Sequence, residues 1–216
     1  MPLIQAKPHY RPTPALLPSE RISEVRAIWR LGIPVSRTLA EIYLASRGLN
    51  LTKPDILRFA YLPCGGVKRP AMIAPVLSCA DDLIGVQRTF LAPDGRGKAA
   101  IPKPKLSLGR IAGGAIRCAQ RDDALIVTEG LEDALSAMQI FGMPAWAAAG
   151  GGMMAKMVLP DHIRSVVIGA DNDEAGNRAA MKAAEVFSHQ GRQVRIVRPA
   201  DRFKDFNAEL METRNG

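Results

Sequence analysis

Two short apolar runs that each end in acids constrain this chain more than any other feature. Residues 124–128 lead into Glu129, and residues 165–170 lead into Asp171 and Asp173. Each run is bounded by polar residues and rich in β-branched side chains, so each reads as a buried strand of a parallel sheet. The acids then fall just past the carboxyl ends of the strands, the edge where open α/β sheets place their ligands. Carboxylates gathered there repel one another, and the pKa of at least one rises unless a cation is present. The natural occupant is therefore a hard divalent ion with oxygen ligands. Mg²⁺ is the first candidate, with Mn²⁺ as the alternative.

The segments that follow agree with this reading. Residues 131–141 carry Leu131, Ala134, Leu135 and Met138 on one helical face, with Asp133 one turn beyond Glu129 and Gly142 as the stop signal. Gly130 is expected to permit a sharp turn. A third strand, residues 143–148, runs into Gly150, Gly151 and Gly152. Residues 174–190 are alanine-rich and helical, ending at Gly191, and a fourth strand spans residues 194–198. Strands alternating with helices of this length imply right-handed crossovers and a parallel sheet covered on both faces.

Residues 123–210 resemble the Toprim domain, the metal-binding module shared by bacterial-type primases, topoisomerases and certain nucleases. The resemblance rests on Glu129-Gly130 with Asp133, on Asp171-x-Asp173-x-x-Gly176, and on Lys204-Asp205-Phe206-Asn207 followed by Glu209 and Leu210. The primase branch fits best, and Asn207 stands where its members carry a last aspartate. The wording of residues 129–136 and of Pro144-Ala145-Trp146 resembles Toprim proteins of mobile genetic elements, plasmids and phages. The resemblance implies an α/β fold, a Rossmann-like parallel sheet with helices on both faces, preceded by a small basic α/β domain.

Each acid also has a plainer reading. An acid at a strand end can simply cap the next helix, and a lone Asp-x-Asp is common in loops. A calcium loop starting at Asp171 fails because Ala175 and Lys182 occupy positions that should carry ligands. An aspartyl-phosphate phosphatase would place its Asp-x-Asp on the first strand of the domain, and here a Glu-bearing strand precedes it.

Charge divides the chain. Residues 1–122 hold 19 Lys and Arg against 8 Asp and Glu, and residues 123–216 hold 10 against 13, so the net charge of +8 comes from the first half. A basic half suited to a nucleic-acid backbone is thus joined to an acidic half suited to a metal, although a basic face also serves solubility alone. The aromatic content of 5% limits base stacking. Cys64, Cys79 and Cys118 are widely spaced with no histidine nearby, so no zinc is expected, and a primase zinc module has no counterpart here. No apolar run approaches membrane-span length and no signal-peptide core is present, so the expected compartment is the cytoplasm, with no membrane partner.

Three regions are expected: a Pro-rich flexible arm over residues 1–18, a basic α/β region over 19–122, and the Toprim domain over 123–216. Residues 19–31 read as an amphipathic helix through Ile22, Val25, Ile28 and Trp29, and Thr38 with Glu41 reads as a capping box opening a second helix. Residues 57–62, 71–77 and 83–91 read as strands. Lys98, Lys103, Lys105 and Arg110 fall in a basic loop leading to Gly113 and Gly114, where a nucleotide triphosphate or template phosphate could be received. Pro104-Lys105-Leu106-Ser107 resembles part of a signature of the primase basic domain.

Primase resemblance implies metal-dependent nucleotidyl transfer on single-stranded DNA from ribonucleotide triphosphates, as in DNA replication, with a replicative helicase as a candidate partner. Asp171, Asp173, Asp205 and Asp133 are the expected metal ligands, and Glu129 the expected proton acceptor or added ligand. The alternatives are a Toprim nuclease using the same acids, or a non-catalytic DNA-binding remnant of a primase-helicase.

Overall fold

A computed structural model of the chain describes residues 19–51, 54–119 and 122–215. The Pro-rich arm expected over residues 1–18 lies outside the described residues. Helix α1 (Ser19–Leu31) buries Val25, with Ile22, Ile28 and Trp29 packed on the same cluster, as its apolar stripe predicts. Helix α2 (Leu39–Ser46) is capped by Thr38, whose hydroxyl accepts the Ala40 amide at 3.2 Å. Glu41 departs from the expected capping box. Its carboxylate accepts from the amide of Arg37 at 2.7 Å, one residue upstream of the cap, where Arg37 takes a φ of 60°.

The first sheet is antiparallel throughout, in the order β1 (Ile33–Pro34), β2 (Arg58–Cys64), β3 (Val67–Leu77), β4 (Leu83–Phe90) and β5 (Lys105–Gly109). Strands β2 to β4 are the three expected from sequence. β3 begins earlier because it closes a hairpin with β2 across Gly65 and Gly66, both at positive φ. Strand β5 corrects the basic loop expected there. Leu106 and Leu108 pack on the cluster around Val86 and Phe90, and this two-residue period, with pairing from Lys105↔Thr89 to Gly109↔Gly85, makes the segment a strand.

The second sheet runs β10 (Gln193–Val197), β9 (Ser165–Gly169), β7 (Ala124–Thr128), β8 (Ala145–Ala147), β6 (Ile116–Arg117). The first four are parallel, as expected, while β6 adds an antiparallel edge against β8. Its two faces alternate residue by residue. Ile126 and Val167 meet helix α3 (Leu131–Phe141) and Leu210 of helix α5 (Phe206–Asn215), whereas Leu125, Val127, Val166 and Ile168 meet Ala180, Ala183 and Phe187 of helix α4 (Glu174–His189). The α3 face also receives Leu49, Leu57, Met72, Ala74 and Val76 from the first half, so one core runs through both sheets. Cys118 lies in it as a small buried hydrophobe, its thiol pushed up to about 12 by burial. Among the described residues no helix is long and apolar enough to cross a membrane.

Candidate active site

The expected acids meet at the carboxyl edge of the second sheet. Glu129 follows β7, Asp133 lies in the first turn of α3, Asp171 follows β9, Asp173 caps α4 and Asp205 precedes α5. Their fields overlap strongly. Burial, then Asp171, Asp205 and Glu132, push Asp133 up to about 7; burial, then Asp205, Glu129 and Asp173, push Asp171 up to about 6, against the opposing pull of Lys204. Mutual repulsion of this kind is relieved by a cation.

Several of these acids also do structural work. Asp173 Oδ1 accepts the Gly176 amide at 2.7 Å, and Asp205 Oδ1 accepts the Ala208 amide at 2.8 Å. The helix-cap reading therefore holds for both residues, and it engages one oxygen of each. Asp173 Oδ2 stands 3.9 Å from Lys204 Nζ. Gly176 is required for a different reason: a Cβ there would stand 2.8 Å from the Asp171 carbonyl oxygen and 2.9 Å from its Cβ, so only glycine lets the helix start pass under Asp171.

Gly130 corrects an expectation in the same way. Its φ is −109°, an ordinary extended value, so turning freedom is not what it supplies. A Cβ on Gly130 would stand 3.2 Å from Asp133 Oδ2, and one on Gly151 would stand 3.3 Å from Glu129 Oε1. Both glycines keep space open beside carboxylate oxygens.

Three polar residues not singled out as site residues, or noted solely as a departure, organise this edge. Asn172 donates from Nδ2 to the Pro199 carbonyl at 3.0 Å and the Phe203 carbonyl at 2.8 Å, and its amide donates to Lys204 O at 2.8 Å. These bonds tie the Asp171–Asp173 turn to the loop carrying Asp205. Asn207 is fully buried and donates from Nδ2 to Arg47 O at 2.9 Å and Ser136 Oγ at 3.0 Å, while its amide donates to Asp133 Oδ1 at 3.3 Å. Glu132, 4% exposed, accepts from the Tyr43 hydroxyl at 2.8 Å and pairs with Lys98 at 3.1 Å and Lys105 at 2.9 Å. Burial alone would raise the Glu132 pKa; Lys105 and Lys98 outweigh it and hold the carboxyl well below the usual range. Tyr43 is pushed up by burial and by that carboxylate. No sequence signal singles out Glu132, because its burial and its lysine partners, 27 and 34 positions upstream, appear only when β5 docks beside α3.

The basic residues divide. Lys98 and Lys105 reach Glu132, at the border of the acid edge; Lys103 is exposed ahead of β5, and Arg110 lies at the other end of that strand, its guanidinium beside Gly113. From β4 and β5, Gln87 Nε2 and Ser107 Oγ donate to the carbonyl of Ala149 at 2.9 and 3.3 Å, fixing the loop that carries Gly151.

A family profile for the Toprim domain matches residues 124–215. Residues 124–215 form a Toprim domain. Residues 19–118 match a second family, a domain of unknown function (DUF7146). The chain is similar in structure to a DNA primase domain from Pseudomonas aeruginosa, at 16% identity and a TM-score of 0.63 over 88% of this chain and 74% of that one. It is similar to the primase fragment of the bacteriophage T7 primase-helicase protein, at 17% identity and 0.54 over 86% and 71%. It is also similar to the zinc-binding and RNA polymerase domains of the Aquifex aeolicus primase, at 16% identity and 0.59 over 90% and 59%. The chain thus has a primase-like fold, and the likeness spans the Toprim domain and the residues before it. No curated protein sequence matches the chain significantly.

Toprim domains generally bind a divalent metal such as Mg²⁺. The donor set fits one: the acids are hard oxygen donors, their neighbours raise the pKa of Asp133 and Asp171, and Gly130 and Gly151 leave room beside Asp133 and Glu129. Among the described residues no group of three or more His, Cys, Asp or Glu is already placed to hold an ion.

Proposed function

We propose that this protein is a metal-dependent nucleotidyl transferase of the primase type, extending a ribonucleotide chain on single-stranded DNA. The observation that carries the reading is the meeting of basic strand β5 with the Toprim acids at one edge, Lys105 and Asp133 flanking Gly130, within a fold shared with primase domains. Asp171, Asp173, Asp205 and Asp133 would hold Mg²⁺ or Mn²⁺. An ion held by these residues would supply Lewis acidity toward an attacking 3′-hydroxyl and positive charge against a departing pyrophosphate. Glu129 accepts the proton of that hydroxyl. Lys98, Lys103, Lys105 and Arg110 anchor phosphate groups as charge-assisted donors. The basic first half grips the template backbone, and a replicative helicase is the proposed partner, as the name of the T7 relative suggests.

Incubation of the pure protein with single-stranded DNA, labelled ribonucleotide triphosphates and Mg²⁺ tests the reading. Short labelled oligonucleotides are expected, with no product when Mg²⁺ is withheld. Cleavage of the DNA in a control without nucleotides would instead identify a nuclease using the same acids. DNA binding with neither product would favour an accessory role, in keeping with Asn207 serving as a structural link.

A further inference from the structure

Tyr43 and Glu132 have no part in the chemistry assigned above, yet with Lys98 and Lys105 they form a cluster that borders the acid edge directly. The point where a Cβ on Gly130 would stand is 3.2 Å from Asp133 Oδ2, 3.9 Å from Glu132 Oε2 and 4.0 Å from Lys105 Nζ. The Lys105 ammonium and the Asp133 carboxylate therefore flank the same glycine, and Lys105 rests on Glu132 at 2.9 Å. Lys98 is held by the other oxygen of Glu132 at 3.1 Å, and the Tyr43 hydroxyl fixes that oxygen at 2.8 Å. Two ammoniums on long, flexible stems thus lie beside a self-repelling group of carboxylates, and a buried anion holds them back.

We propose that Glu132 is a positioning residue that acts as a charge separator: it anchors the Lys105 and Lys98 ammoniums on the β5 side of Gly130, so that a divalent cation rather than lysine neutralises the acid edge. The inference rests on the reading of that edge as a metal site. Without the anchor, the Lys105 ammonium is free to swing across Gly130 to the Asp133 carboxylate that flanks the same glycine. With it, the acids stay open to the metal while the lysines stay close enough to meet a phosphate brought in with it. Tyr43 completes the anchor by giving Glu132 a fixed direction, because a hydrogen-bonded carboxylate held by three donors has little freedom to follow the lysines.

Binding of Mn²⁺ alone to the intact protein, followed by electron paramagnetic resonance, tests this apart from any turnover. Glu132→Gln keeps the Tyr43 hydrogen bond and removes the anchoring charge; Mn²⁺ affinity is expected to fall about tenfold or more, the effect of one unit charge a few ångströms away in a partly solvated site. The triple variant Glu132→Gln, Lys98→Met, Lys105→Met removes the competing ammoniums as well, and its affinity is expected to return to within about twofold of the parent. A purely structural role for Glu132 would not be rescued by deleting the lysines. If Glu132→Gln does not fold, the triple variant decides: parental affinity supports the separator, and affinity tenfold weaker in a folded triple variant overturns it. Folded Glu132→Gln with parental affinity overturns it as well. Asp171→Asn separates the two claims. Parental Mn²⁺ binding in Asp171→Asn removes the metal-site reading itself, together with the separator, whereas loss of binding in Asp171→Asn beside no change in Glu132→Gln removes the separator alone.

Discussion

At the scale of single residues, the site is built from acids whose chemistry and backbone duties overlap. Gln keeps the size of Glu129 and cannot accept a proton at neutral pH, so Glu129→Gln is expected to leave DNA affinity nearly intact and slow nucleotide incorporation about 10²- to 10⁴-fold, as single-turnover rates would report. Stability carries a second signature. Asp133 and Asp171 are raised in the folded state to about 7 and about 6 from 3.8, so the native protein holds extra protons between about pH 4 and 7. Their contribution to stability is complete below pH 4 and is lost as pH rises through the folded pKa values. The metal-free melting temperature should therefore fall between about pH 4 and 7, and Asp133→Asn with Asp171→Asn should flatten that fall; an unchanged slope would show that these groups do not titrate as a cluster. The order Glu, Asp, Asp-x-Asp, Asp is legible in the sequence because sheet edges follow from strand ends. The separate need for Gly130 and Gly176 is not, since crowding by Asp133 and Asp171 exists only once the chain has folded.

Elements carry these residues to one place through buried polar links. Asn207 shows how a departure from a motif acquires a structural use: its Nδ2 group joins α5 to the carbonyl that ends α2 and to Ser136 of α3. Restoring the family's acid with Asn207→Asp should not add a metal ligand. It replaces a donor with an anion against the Arg47 carbonyl and near Asp133, and chemical denaturation is expected to show a loss of about 2–4 kcal/mol. A variant as stable as the parent with tighter metal binding would show that α5 is free to turn this position toward the ion. The helices and parallel strands were readable because their apolar periods are unambiguous. Strand β5 was not, since Lys105 and Ser107 on its alternate positions look like a solvated loop until the partners Glu132 and Ala149 O are known.

On the scale of the whole molecule, a division that charge draws clearly is absent from the packing. The basic first half and the Toprim domain share the core around Met72, Ile126 and Leu135, and Tyr43, Gln87 and Arg47 bond directly to the second half. Calorimetry should accordingly record a single cooperative unfolding transition for the intact chain, and two separated transitions would show that the halves are stable alone. The shared core holds β5 against the acid edge, with Lys105 and Asp133 on either side of Gly130. Whether the edge acids form a metal site is tested most directly by thermal melts of Asp171→Asn with Asp173→Asn, with and without Mg²⁺. Asn caps α4 as well as Asp does, so the metal-free double variant is expected to melt at or slightly above the parent temperature, and the rise that Mg²⁺ is expected to cause in the parent should be absent from it. A double variant with the parent's full Mg²⁺ shift would contradict the account, and Asp171 and Asp173 would be left as helix-start residues and nothing more.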